Sequence, residues 1–172
     1  MKKTTVINLI AGPGTGKSTT MAGIYYELSR RGLLAEMASE FAKDKVWEDS
    51  TKTLDDQLYI FGKQHHKIWR VYGKVDWVIT DSPLLLSIYY NNDVALKHFN
   101  DVVLESFNRF DNRIYFLERD DSFFKDEGRV HNLETSKKID KTLKELLETY
   151  HIPYTTVSAK NAVEEIIKDL SL

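Results

Sequence analysis

The most constraining feature of this chain is an abrupt junction near its amino terminus. Thr5–Ile10 is a mostly apolar run of strand-forming residues, and it ends on Ala11-Gly12-Pro13-Gly14-Thr15-Gly16-Lys17-Ser18. A helical period follows over residues 17–31, with Met21, Ile24 and Leu28 on one face and Gly32 as the stop. A short apolar strand, a glycine-rich turn and an amphipathic helix open a parallel α/β unit.

The same alternation continues. Residues 33–37, Trp77–Thr80, 113–117 and 154–157 read as further strands. Residues 53–72 are the clearest amphipathic helix: Leu54, Leu58, Phe61, His65, Ile68 and Tyr72 recur at steps of four and three before Gly73. Further helices are predicted over residues 84–90, 94–107, 133–150 and 161–170. Leu143, Leu146, Leu147 and Tyr150 face inward in the third of these, and Asn161 caps the last. Five strands with intervening helices predict an α/β doubly wound parallel sheet covered on both faces. No linker or repeat interrupts the 172 residues, so the whole chain, 1–172, is expected to form one domain.

Composition narrows the function classes. Without cysteine, the chain has no disulfide framework, thiolate metal site or cysteine nucleophile, and a reducing cytoplasm is the expected location. The net charge of −2 carries no footprint of a duplex-binding domain, so a nucleic-acid partner is not expected. No segment approaches the roughly 20 apolar residues of a membrane span. The apolar run after Met1-Lys2-Lys3 ends at the glycine turn without a small-residue cleavage site, unlike a signal peptide.

The turn matches the phosphate-loop pattern G-x-x-x-x-G-K-[ST], with Ala11 at the first glycine. Gly12, Gly14 and Gly16 let backbone N–H groups turn inward around phosphate oxygens, where a Cβ would obstruct. Pro13, Thr15 and Thr19 complete the cradle, Lys17 supplies a charge between the β- and γ-phosphates, and the Ser18 hydroxyl can ligate magnesium. A nucleoside triphosphate and Mg2+ are therefore the expected cofactors, and the absence of the GTPase signals described below makes ATP the expected triphosphate. A second metal-site carboxylate is expected at the end of a neighbouring strand, and Val78-Ile79-Thr80-Asp81-Ser82-Pro83 supplies Asp81.

These segments, with Ala38-Ser39-Glu40-Phe41-Ala42-Lys43 and Glu127-Gly128-Arg129, carry a resemblance over nearly the whole chain. It resembles the P-loop kinases related to the nicotinamide riboside kinase domain of the NadR regulator, phage-encoded nucleoside or nucleotide kinases in particular. The resemblance implies a P-loop NTPase fold, and host cytoplasm if the chain is phage-encoded. It also implies that Glu40, just beyond a central strand, faces the acceptor and orients or deprotonates its hydroxyl. Kinases of nucleoside monophosphates commonly carry an arginine beside the third-strand aspartate. Here Ser82 and Pro83 stand there, although Lys43, Lys45 or Arg70 could supply charge.

Residues 39–73 are expected to cover the acceptor, with Lys43 near it. Gln57 and Gln64 lie two turns apart on one flank, and their amides could read a base edge or simply face solvent. His65 falls on the apolar stripe and is expected to be a packed core residue. The charged stretch at 118–132 is expected to form a lid, from which Arg119 and Arg129 can clamp the transferring phosphoryl group.

Ser158-Ala159-Lys160 resembles the guanine-contacting loop of small GTPases. The companion signals fail, because no Asn-Lys-x-Asp is present and Asp81 is followed by Ser-Pro-Leu. The tripeptide is instead expected to contact adenine through its backbone. The sequence thus predicts an ATP-dependent phosphotransferase acting on a small nucleoside-like or nucleotide acceptor. Nicotinamide riboside kinase, polynucleotide 5′-hydroxyl kinase and a non-kinase nucleotide-binding switch remain as alternatives, and the oligomeric state is open between monomer and dimer.

Overall fold

The computed structural model describes residues 2–91, 96–120 and 133–172. Five strands, β1 (Thr5–Ile10), β2 (Ala35–Met37), β3 (Trp77–Thr80), β4 (Asp111–Glu118) and β5 (Thr155–Ser158), form one sheet in the order β2-β3-β1-β4-β5. Every pairing is parallel. The helices are α1 (Lys17–Arg30), α2 (Phe41–Trp47), α3 (Gln57–Trp69), α4 (Leu86–Tyr90), α5 (Phe99–Asn108), α6 (Leu133–Thr149) and α7 (Ala162–Asp169).

The near-continuous apolar run of β1 follows from its place at the sheet's centre. Val6 and Ile10 pack with Phe61, Val103, Phe107, Leu143 and Leu147 under α3, α5 and α6. Ile7 and Leu9 point the other way, to Ile24, Leu28 and Ile166 of α1 and α7. Each fully buried aliphatic side chain stabilises the fold by about 1.5–3 kcal/mol. The register pairs Asn8 with Thr80, Ile10 with Phe116 and Met37 with Ile79, which brings the carboxyl ends of the strands to one edge. The crevice in which doubly wound sheets bind their ligands opens along that edge.

The region after β2 departs from the expected single helix over 53–72. α2 precedes it, Thr51–Asp55 is a 3-10 turn, and α3 starts only at Gln57. Asp56 makes that break, because its carboxylate accepts the Tyr59 N–H at 3.0 Å as an N-cap. The buried stripe moves accordingly. Leu58 is 52% exposed, whereas Ile60, Phe61, Gln64 and Ile68 are buried.

His65 lies between the rings of Phe61 and Phe110, at 6.0 and 5.7 Å. Desolvation, then the charges of Arg109 and His66, lower its pKa, which suits a packed neutral ring. At α7, Asn161 holds the N-cap position without a side-chain capping bond. Glu165 instead reaches back to accept the Ser158 N–H at 3.1 Å.

Gln64 fastens this region to the sheet. Its amide oxygen accepts the Phe41 N–H at 3.1 Å, and its nitrogen donates to the Ala38 carbonyl and Thr80 Oγ1, each at 3.2 Å. One buried amide in the middle of α3 therefore joins the ends of β2 and β3 to the start of α2. Gln64→Leu fills similar space but leaves the Phe41 N–H unpaired. Denaturant unfolding should show a loss of about 1–3 kcal/mol.

Candidate active site

The loop between β1 and α1 uses its glycines for two different reasons. Gly14 and Gly16 sit at φ 84° and 89°, a left-handed backbone that L side chains disfavour. Gly12 lacks a positive φ but lies under α6. A Cβ there would stand 2.7 Å from the Ser136 carbonyl oxygen and 2.9 Å from Asp140 Oδ1. Gly16 caps α1 without a side-chain bond, and the first turn holds no acidic residue. The N–H groups and positive dipole end of that turn remain available to an anion.

Lys17 folds back on this loop, with Nζ donating to the carbonyls of Ala11 at 2.8 Å and Gly12 at 3.1 Å. Desolvation lowers its pKa, while Glu40, Asp81 and Asp140 pull it back up. Ser18 Oγ donates to Asp81 Oδ2 at 2.5 Å, and the buried Asp81 accepts the Glu40 N–H on its other oxygen at 3.0 Å. Hydroxyl and carboxylate oxygens meeting beside a phosphate loop fit a hard cation. Among the described residues no cluster of three or more His, Asp or Glu side chains forms. That sparse donor set suits Mg2+, which retains water and phosphate oxygens in its shell.

A cavity of about 450 Å³ opens beside the loop. Its lining includes the polar residues Lys17, Glu40, Gln57, Gln64, Asp81 and Tyr90 and the apolar residues Pro13, Ile60, Pro83 and Leu143. Burial raises the pKa of Glu40 and the Asp81 charge adds to it, against an opposing pull from Lys17. Desolvation, then the Glu40 charge, pushes the Tyr90 hydroxyl up to about 12, so it remains a proton donor at neutral pH. Gln57 donates to the Leu54 carbonyl at 2.7 Å, which fixes one end of its amide at the wall. Gln64 reaches the same wall with its polar atoms already bonded to the fold. Lys43 is exposed and does not line the cavity, although its charge reaches Glu40.

On the other flank, Arg119 directly follows β4. Its Nε donates to Asp140 Oδ2 at 2.9 Å, and Nη2 donates to Thr15 Oγ1 in the loop at 3.1 Å. Ser158, Ala159 and Lys160 lie at the end of β5, next to that position, where the Ala159 N–H donates to the Glu118 carbonyl at 2.9 Å. Thr19 is exposed in the first turn of α1. Arg129, and residues 121–132 of the expected lid, lie outside the described residues.

Two of these features escaped the sequence reading. Tyr90 had no signal, since it closes a short helix of ordinary composition. Asp140 had one: Ser136, Asp140, Leu143 and Leu147 follow steps of four, three and four, so a carboxylate stands on an inward stripe.

The parallel sheet order and the glycine loop define an α/β P-loop NTPase fold. A family of AAA domains matches residues 6–165, and the chain belongs to that family. No curated protein matches by sequence. Among solved structures, the NadR protein in complex with NR superposes with a TM-score of 0.72 at 14% identity. The match covers 98% of this chain and 52% of that one, so the chain spans about half the length of the NadR structure. A deoxyadenosine kinase from M. mycoides with bound dATP gives a TM-score of 0.61 at 19% identity, covering 97% of this chain and all of the other (100%). At these identities the shared property is the fold. Among the described residues no helix is long and apolar enough to cross a membrane.

The raised pKa of Glu40 has a thermodynamic consequence. The folded protein favours the neutral carboxyl, so stability is fullest below glutamate's ordinary value of 4.5 and falls as pH rises through the folded value. Glu40→Gln should therefore raise the melting temperature at pH 7. That gain should shrink on acidification and vanish below about pH 4.5, as a pH series of thermal melts would record.

Proposed function

We propose that the protein transfers the γ-phosphate of ATP to a hydroxyl of a small nucleoside-like acceptor. The observation that carries this reading is the meeting of Lys17, Asp81 and Glu40 at one cavity, with the Glu40 carboxyl lifted above its usual range. Among the described residues the lining holds one cation, Lys17, against two carboxylates, Glu40 and Asp81. A neutral hydroxyl-bearing acceptor suits that balance better than one already carrying a phosphate. The two solved structures of this fold, one holding NR and one a deoxyadenosine kinase, lie in the same substrate class.

The loop N–H groups and Lys17 bind the β- and γ-phosphates, and Arg119 approaches from the α6 side. Glu40 takes the proton of the acceptor hydroxyl as its oxygen bonds to the γ-phosphorus. The bond from that phosphorus to the β,γ-bridging oxygen breaks, and ADP leaves with the electron pair. A raised carboxyl pKa suits such a base, because it lies nearer the working pH. Ser18 and Asp81 would hold Mg2+, which neutralises developing charge on the phosphate oxygens when bound. Gln57 and Tyr90 offer polar atoms to the acceptor from the cavity wall, and the loop at Ser158–Lys160 offers backbone to the adenine.

The direct assay offers γ-labelled ATP to nucleosides, nucleoside monophosphates, nicotinamide riboside and 5′-hydroxyl oligonucleotides. Label should appear on a nucleoside-like hydroxyl. Label on a monophosphate would move the acceptor class, and label on none would sink the phosphotransferase reading. Lys17→Ala should abolish transfer. Glu40→Gln should lower kcat by about 10²- to 10⁴-fold, as loss of a general base does, while ATP affinity stays within about threefold. An unchanged kcat would remove Glu40 from the chemistry.

A further inference from the structure

The contact between α6 and the phosphate loop is too close and too specific to be ordinary packing. Gly12 N–H donates to Asp140 Oδ1 at 2.5 Å, and the other oxygen of the same carboxylate accepts Arg119 Nε–H at 2.9 Å. The Arg119 and Asp140 side chains are only 6% and 15% exposed. The guanidinium continues to Thr15, whose hydroxyl in turn donates to the Gly12 carbonyl at 2.7 Å, closing a ring of bonds around the loop. The missing Cβ at Gly12 is what admits the Ser136 carbonyl and the Asp140 carboxylate to this position.

We infer that Asp140 is a positioning residue that holds Arg119 against the phosphate loop so that its guanidinium grips the triphosphate. The inference rests on the triphosphate site of the proposed function but not on any acceptor. Arginine carries a long flexible stem and loses considerable rotamer freedom when ordered. Fixing Nε in a charge-assisted bond sets the plane of the guanidinium, because its donors form a rigid fork. The Nη2 end is then directed to Thr15, inside the loop where phosphate oxygens bind. The same carboxylate is fastened to the loop through Gly12, so α6, Arg119 and the loop move as one unit. With its oxygens committed to Gly12 and Arg119, Asp140 acts on the triphosphate through these two partners rather than by contact of its own.

Asp140→Asn tests this arm selectively. The asparagine oxygen still accepts the Gly12 N–H, but the charged partner of Arg119 is gone. ATP binding is measured by calorimetry on the full chain for wild type, Asp140→Asn, Arg119→Lys and the double variant, with thermal melts for each. We expect Asp140→Asn to weaken ATP binding about tenfold, the loss ascribed to one charge-assisted contact. On the Arg119→Lys background the same change should cost little more, because the two act through one another. A purely structural role would lower the melting temperature and give additive losses of affinity.

Unchanged ATP affinity in Asp140→Asn, or full additivity with Arg119→Lys, would overturn the inference. Should Asp140→Asn fail to fold, Asp140→Glu keeps the charge and displaces it by one methylene. Its ATP affinity should fall, and an unchanged affinity there would overturn the inference equally. Wild type that binds ATP and shows the coupling, yet transfers label to no acceptor, would fell the proposed function and leave the positioning role standing. Wild type that binds no ATP would fell both.

Discussion

The carboxylate of Asp81 is bonded on both oxygens, to the Ser18 hydroxyl and to the Glu40 N–H. Those two bonds fix the relation between three segments that are distant in sequence: the first turn of α1, the end of β3 and the connection leading from β2 to α2. Parallel register places the segments at the same sheet edge, but register alone does not say how far apart they stand. Asp81 sets that spacing. Pro83, two residues on, ends any extension of the strand that would carry the carboxylate past its partners. Glu40 and Ser18 are thereby held on the two sides of one buried side chain, beside the cavity that Glu40 and Asp81 line.

The opposite flank of the loop is organised by the same device, a carboxylate with both oxygens committed. Asp140 takes one bond from loop backbone and one from Arg119. The loop is therefore clasped from both sides, by Asp81 through Ser18 and by Asp140 through Gly12. This division explains why a single motif contains glycines of different kinds. Gly14 and Gly16 answer a backbone requirement that any such loop has, whereas Gly12 answers the approach of one particular helix.

The fold class, a doubly wound parallel sheet, and the phosphate loop were legible because each rests on a local pattern, whereas the order of the strands was not. Apolar runs of strand length, a helical period and a glycine spacing survive whatever the distant chain does. The break at Asp56 was less visible, because Leu54, Leu58 and Phe61 keep a helical period across it, and only the cap reveals that the helix starts later. Gln64 illustrates a deeper limit. Its spacing from Gln57 placed both on one flank, and both line the cavity, but the polar atoms of Gln64 are taken up by Ala38, Phe41 and Thr80. Asp140 depends on a contact 128 positions away in the chain, which no local pattern encodes. Only its anomaly, a charge on an inward stripe, was available in advance.

The electrostatics of the cavity connect two properties that would otherwise be separate. Glu40 is lifted because its charge is poorly solvated and stands near the Asp81 charge, with Lys17 as the opposing influence. A negatively charged group on an acceptor would enter the same surroundings and meet the same penalty. Two like charges about 4 Å apart repel by about 4 kcal/mol at the effective dielectric of a partly buried site, roughly a thousandfold in affinity. A hydroxyl brings no such charge and gives up its proton to the group that the surroundings have already made willing to accept one. On the proposed reading, the basicity of Glu40 and the preference for an uncharged acceptor are therefore two expressions of one field, and a substitution that relieves the first should relax the second.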